Sequence, residues 1–333
     1  MSNLGGDAVI LACHFVFDTL LLVLIELGAF SWFTKLPIFQ PAFIAANADL
    51  KLDPDVVAEE QRVRLNKSDV IRVSDFRKAY QTATGNPFRS NSFLAVERIS
   101  FGLDYGECFA LLGVNGAGKS TTFKSLTADT TPTSGEITVA GHNIETDFEQ
   151  ARKLIGYCPQ KDAIFPLMTV EEHIWYYARI KGIPEHLLEN IVERSIVDLN
   201  LSDHRVKPAG TLSGGNKRKL SVAMATLGNP PIILLDEPSA GMDPEARRFM
   251  WTVVERISQR DKKSAVILTT HSMEEAEALS TKMGIMVRGG VFKCYGSSQH
   301  IKNKFGTGYE CEIKIRKPTY TEIATISETI GFT

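Results

Sequence analysis

The chain has 333 residues, 44% hydrophobic and 23% charged, with 37 basic against 39 acidic side chains and a net charge of −2. That ordinary balance excludes an intrinsically disordered or fibrous protein, and it argues against nucleic acid held on a basic surface, because such affinity comes from neutralising phosphates. The length allows two domains, and the cysteines (Cys13, Cys108, Cys158, Cys294, Cys311) lie scattered without a C-x-x-C pair, which suggests neither a disulfide framework nor a zinc site and fits a reducing cytosol best.

From Ala8 to Phe33 nearly every residue is apolar, a run longer than the roughly 20 residues a helix needs to cross a bilayer, so residues 1–33 are expected to hold a transmembrane helix. Two other readings stay open. A signal peptide lacks support from MSNLGGDAV, which has no basic residue. A buried helix of a soluble core is kept in view by Asp18 and Glu26, both expensive in lipid. His14, Asp18, Leu22 and Glu26 recur at i+4, on a flank suited to other helices rather than to lipid, so further transmembrane helices are expected as partners. No Lys or Arg precedes Lys35, whereas Lys35, Lys51, Arg62, Arg64 and Lys67 follow, which places the C-terminal side in the cytosol. Trp32 and Phe33 would sit at the membrane interface.

Residues 34–67 lose the apolar run and gain Pro37, Pro41, Pro54 and the mixed-charge stretch EEQRVRLNK, the texture of a linker with one short surface helix. From residue 68, strand-like segments such as VIRVSDF, ECFALLG, EITVAG, IILLDE and AVILTT alternate with helical ones, an α/β pattern.

Residues 113–120, GVNGAGKS, fit G-x-x-x-x-G-K-[ST] directly after the apolar strand CFALL and before the helical stretch STTFKSLTA. Glycines let successive N–H groups turn inward onto phosphates, and a helix N-terminus adds partial positive charge. Lys119 is placed to reach the β and γ phosphates and Ser120 to put its hydroxyl on Mg²⁺. A second metal ligand is offered by IILLDE, residues 232–237, an apolar run that ends in two carboxylates. Asp236 would hold the Mg²⁺ shell, and Glu237, pointing elsewhere, would take a proton from an attacking water or orient it.

Upstream of that pair, residues 212–220 read LSGGNKRKL, and with GVNGAGKS and LLDEP this resembles the ATP-binding cassette (ABC) transporters. The resemblance implies an α/β fold with a P-loop NTPase core of the ABC-ATPase type, an antiparallel β subdomain, and a helical subdomain over about residues 165–230 that carries the signature. It implies ATP as ligand, with Mg²⁺, held by Gly113, Asn115, Gly116, Gly118, Lys119, Ser120 and Thr121. Ser213, Gly214 and Gly215 match the signature, which contacts the γ-phosphate of ATP held by the opposite cassette; small residues suit that close backbone approach. Lys217, Arg218 and Lys219 on one turn read as a solvated face rather than a nucleic-acid site.

Carried over one at a time, Gln160 in IGYCPQKDA matches the glutamine that senses Mg²⁺ and the attacking water and touches the membrane domain. His271 in AVILTTHSMEEAE matches the switch histidine at the γ-phosphate, and Asp243 in SAGMD the acid of the loop between cassettes. Ala240 stands where many members have serine. Tyr80 in DFRKAY is the choice for the aromatic on adenine, with Phe76 and Tyr105 as alternatives.

GYCPQKDA, LSGGNKRKLSVA, DEPSAGMDPEARR and THSMEEAEAL resemble the A subfamily in particular, as does the upstream layout of a last membrane helix, an aromatic and proline segment, and a linker. The expected domains are therefore a transmembrane helix (1–33), a cytosolic linker (34–67), the nucleotide-binding domain (68–305) and the incomplete start of a C-terminal regulatory domain (306–333). The subfamily implies ATP-driven movement of lipid or similar amphipathic molecules, an integral membrane location with the cassette on the cytosolic side, and a second nucleotide-binding domain in the same longer chain or in a partner. A soluble, non-transport ABC ATPase acting on ribosome or DNA is the alternative. One helix cannot enclose a transport path, so either a fragment of a larger transporter or a subunit that borrows helices is expected.

Overall fold

The computed structural model describes residues 14–24, 52–83, 90–259 and 264–306. The chain divides into two compact units, residues 1–298 and 299–333. Of the apolar run at residues 8–33, only residues 14–24 are described. They are helical, and Phe15, Val16, Phe17, Leu20 and Leu22 are exposed. Among the described residues no helix is long and apolar enough to cross a membrane; the remainder of the anticipated span lies outside them. So do residues 307–333 of the anticipated C-terminal domain, whose unit is described only through the helix at Ser298–Phe305.

The first unit is organised by a 10-stranded sheet. In chain order its strands are β1 (Ile71–Ala83), β2 (Ser90–Leu103), β3 (Cys108–Gly113), β4 (Ser134–Val139), β5 (His142–Asn143), β6 (Ile155–Cys158), β7 (Ile232–Asp236), β8 (Ala265–Thr270), β9 (Lys282–Val287) and β10 (Val291–Gly296). They lie in the order β5-β4-β1-β2-β10-β9-β3-β8-β7-β6. From β9 to β6 all pairings are parallel, with Leu112 opposite Thr270 and Asp236 opposite Thr269. Such strands are covered on both faces, which is why CFALL, IILL and AVIL read as continuous apolar runs. The other half, β5-β4-β1-β2, is antiparallel, and β10 joins the two halves through one parallel bridge, Val291 to Arg98.

Phe101 and Phe109 stack at 4.8 Å across the seam between the halves, and Phe292 meets both edge-on. Full burial of one such ring is worth about 2–3 kcal/mol.

Besides residues 14–24, the α-helices described in this unit are α1 (Pro54–Leu65), α2 (Lys119–Leu126), α3 (Phe148–Ala151), α4 (Val170–Ile180), α5 (Glu185–Asp198), α6 (Gly214–Thr226), α7 (Pro244–Gln259) and α8 (Met273–Leu279). Between β6 and β7 the chain is mainly helical, with α4, α5 and α6 as its main elements and one isolated bridge, Thr169 to Pro208, matching the helical segment expected over about residues 165–230. A capping box starts α4: Thr169 Oγ1 accepts from Glu172 N, and Glu172 Oε2 accepts from Thr169 N at 2.7 Å. His173 on its buried face accepts from Phe165 N through Nε2, which leaves Nδ1 as the donor to Thr169 O.

The helix anticipated in the linker is present as α1, yet Val56, Glu59, Glu60 and Val63 are buried where it packs on β2 and β10. Glu59 accepts from Arg62 Nε and Nη2 at 2.8 Å and from Gly102 N at 3.0 Å, and Arg98 donates to Glu60. A sequence of mixed charges thus buries two carboxylates by pairing them.

Candidate functional site

Between β3 and α2 the GVNGAGKS loop turns sharply. Gly118 stands at φ 105°, and a Cβ there would lie 2.7 Å from Ala95 O; at Gly113 it would lie 2.4 Å from Met286 O, so no side chain fits either position. The loop delivers α2 with Gly118 at its N-cap and no side chain capping it, which leaves backbone N–H groups available to an anion. Lys119 is buried, and its Nζ donates to Gly113 O at 2.6 Å and Val114 O at 3.2 Å, folded back over its own loop. Burial lowers its pKa, opposed by the charges of Glu237 and Asp236.

A pocket of about 340 Å³ brings Asn115, Gly116, Gly118, Lys119, Ser120 and Thr121 together with Gln160 and Glu237. Gln160 follows β6 and Glu237 follows β7, so adjacent parallel strands place both at the same end of the sheet, outside the strands' carboxyl ends. Gln160 Nε2 donates to Glu237 Oε2 at 3.2 Å, and His271 Nδ1, after β8, lies 3.5 Å from Glu237 Oε1. Gln160 and His271, after two different strands, thus converge on the carboxylate that follows a third, with the His271 side chain 62% exposed and that of Glu237 only 13%. Asp236 is buried, and its Oδ1 accepts from Thr269 Oγ1 at 2.5 Å. Burial raises its pKa, the Thr269 hydrogen bond opposes the rise, and Glu237 adds to it.

Ser213, Gly214, Gly215 and Asp243 lie elsewhere. They line a separate pocket of about 530 Å³ with Lys219 and Phe249, and it shares no lining residue with the first. Ser213 caps α6 by accepting from Asn216 N, while Asp243 Oδ1 accepts from Glu245 N and Ala246 N at the start of α7. Those backbone hydrogen bonds, the one from Ala246 foremost, hold the Asp243 carboxyl below the usual range.

The aromatic lining the P-loop pocket is Phe93 on β2, a residue the sequence reading did not single out. Tyr80 is its cross-strand neighbour on β1, Phe76 is fully buried in the core, and Tyr105 is exposed beyond the end of β2. A second difference concerns the basic turn of the signature helix. Arg218 and Lys219 are buried rather than solvated, because α6 packs that face toward β6 and β7 and against α7.

Residues 96–240 match the family described as ABC transporter. The chain carries the nucleotide-binding domain of that family. Over 268 residues it is 50% identical to the human protein named retinal-specific phospholipid-transporting ATPase ABCA4, covering 80% of this chain and 11% of that protein. The mouse form is 46% identical over 319 residues, 95% of this chain and 13% of that protein. A rat protein named phospholipid-transporting ATPase ABCA3 is 46% identical over 276 residues, 81% of this chain and 16% of that one. The chain therefore spans between a tenth and a sixth of the length of these relatives.

Among solved structures, an ATP-binding subunit of an ABC transporter superposes with a TM-score of 0.62 at 27% identity, covering 77% of this chain and 98% of that one. A dimeric ATP-binding cassette in a post-hydrolysis state, bound to ADP and Pi, has a TM-score of 0.61 at 20% identity, covering 68% of this chain and 98% of that one. The latter likeness is one of fold. The cassette is thus an ABC domain of the nucleotide-binding kind, similar to those of the A-subfamily relatives.

Proposed function

We propose that the cassette hydrolyses ATP in a closed pair of nucleotide-binding domains and so powers the movement of phospholipid or a similar amphipathic molecule across a membrane. The observation that carries the hydrolytic part is the convergence of Gln160 and His271 on Glu237 at the P-loop pocket. Lys119 and the loop amides hold the phosphates, Glu237 accepts the proton of the attacking water, and Gln160 and His271 fix its carboxylate. Ser213 and Gly215 of each cassette close on the ATP of the other, with Asp243 beside them, and Phe93 stacks on the adenine.

Mg²⁺ fits the donor set. Ser120, Asp236 and Gln160 offer hard oxygens, and among the described residues no group of three or more His, Cys, Asp and Glu makes an all-protein cage, as suits a magnesium ion shared with phosphates and waters. When bound, it neutralises charge on the β and γ phosphates.

The transport part rests on the names of the relatives, two of them phospholipid-transporting ATPases. It rests as well on the mouse alignment, which at 319 residues extends beyond the cassette into its flanks. These matches favour transport over a soluble ABC ATPase of ribosome or DNA. The mostly apolar, exposed surface of residues 14–24, where Phe15, Val16, Phe17, Leu20 and Leu22 face outward beside Asp18, supports a membrane helix ahead of the cassette. Further helices and the second cassette would come from the same longer chain or from a partner.

Glu237→Gln is the decisive variant. ATP binding should stay within about twofold of the parent while phosphate release falls on the order of 100-fold or more, the loss expected for a general base. Unchanged turnover in a phosphate-release assay would sink the assignment.

A further inference from the structure

Arg218 lies a little over one turn into α6 from Ser213, with its side chain 4% exposed. Its Nη1 donates to Pro159 O and reaches Gln160 O at 3.5 Å and Asp162 Oδ1 at 3.3 Å. Its Nη2 donates to Asp236 O and to Glu237 O at 3.1 Å, and its Nε to Pro238 O at 3.3 Å. One planar fork therefore grips two loops at once, the one bearing Gln160 and the one bearing Glu237. A lysine ammonium, a single nitrogen, cannot span both. Asp162, which also accepts from Ser221 Oγ, is the one charged group among these partners.

The grip matters because of the Glu237 backbone. Glu237 has φ 51°, in the left-handed region that a side chain bearing a Cβ rarely adopts. Its N–H donates to Thr269 O and Oγ1, and its C=O accepts from Arg218 Nη2 and from Ala240 N, so β8, α6 and the turn that follows β7 together fix both backbone polar groups. In that conformation the carboxylate meets Gln160 and His271.

We propose that Arg218 is a positioning residue for ATP hydrolysis: it holds Glu237 left-handed and ties the Gln160 loop to it. The inference rests on the reading of Glu237 as the group that handles the attacking water. It makes Arg218 chiefly a determinant of turnover, since its hydrogen bonds go to the loops that bear Gln160 and Glu237 and none goes to the P-loop.

The test compares the full chain with its Arg218→Lys and Asp162→Asn variants by steady-state ATP hydrolysis and by amide hydrogen exchange of the peptide that spans Glu237. Arg218→Lys is expected to lower kcat by roughly 10-fold or more with KM for ATP within about twofold, and to speed exchange at Glu237 by a similar factor. Asp162→Asn, at a partly exposed position, is expected to lower kcat by roughly threefold, and the double variant to add little to Arg218→Lys. A kcat and exchange rate unchanged in Arg218→Lys would overturn the inference. So would an Arg218→Lys chain that fails to fold while Asp162→Asn keeps the parent kcat. If the parent chain shows no turnover that Glu237→Gln removes, the hydrolytic reading fails instead, and the exchange measurement still decides whether Arg218 holds Glu237.

Discussion

Phe93 stands 60% exposed where β2 lines the P-loop pocket, presenting a flat ring beside Ala95, Gly118 and Thr121. Its neighbour Tyr80 already has the Lys78 ammonium over its face at 5.0 Å and does not line the pocket. Aromatic stacking on a base is worth about 1–3 kcal/mol, so Phe93→Ala should weaken ATP binding by roughly 5- to 150-fold while Tyr80→Ala changes it by less than about twofold. Equilibrium binding of ATP to the two variants checks this, and the reverse ranking would return the role to Tyr80. The P-loop and the DE pair were legible because their chemistry demands contiguous residues: backbone amides in a row, or a carboxylate at the end of a buried strand. Phe93 and Arg218 were not. One is an aromatic on a strand with no local signature, and the other belongs to a run of three basic residues whose burial only tertiary packing decides.

At the scale of elements, α1 shows how patterning misleads. EEQRVR carries few apolar positions, so the helix reads as solvated; yet Val56 and Val63 lie two turns apart on one face, and Glu59 and Glu60 enter the same interface as ion pairs. Removing a partner from such a network leaves the others desolvated and unmatched. Glu59→Ala strands Gly102 N and two of the Arg62 bonds, and is expected to destabilise the first unit by about 2 kcal/mol, read as a lower denaturant midpoint at unchanged slope. A midpoint equal to the parent would mean that water replaces the carboxylate at no cost. Three of the parallel strands, β3, β7 and β8, were by contrast plain in the sequence, since burial on both faces leaves a short continuous apolar run.

At the scale of the molecule, the P-loop pocket and the signature pocket belong to one chain but share no residue, and the superposable cassette that holds ADP and Pi is a dimer. Nucleotide with two partial sites at its disposal should draw cassettes together. The Glu237→Gln chain in detergent is expected to shift from one to two cassettes per particle in sedimentation when ATP is added, and not with ADP, which lacks the γ-phosphate that the proposed pairing places against Ser213 and Gly215. A particle size indifferent to ATP would place the second cassette elsewhere in a longer chain or refute the pairing.

The proposed pairing across the divided site would also make ATP affinity a property of concentration. Ligand that binds only the paired state is linked to pairing by mass action, so its apparent dissociation constant falls as the second cassette becomes more abundant. A cassette tethered in the same polypeptide sits at an effective concentration of roughly millimolar, and would bind ATP far more tightly than the same sequence diluted alone. On the proposed pairing, an affinity is therefore incomplete without the amount of the second cassette beside it.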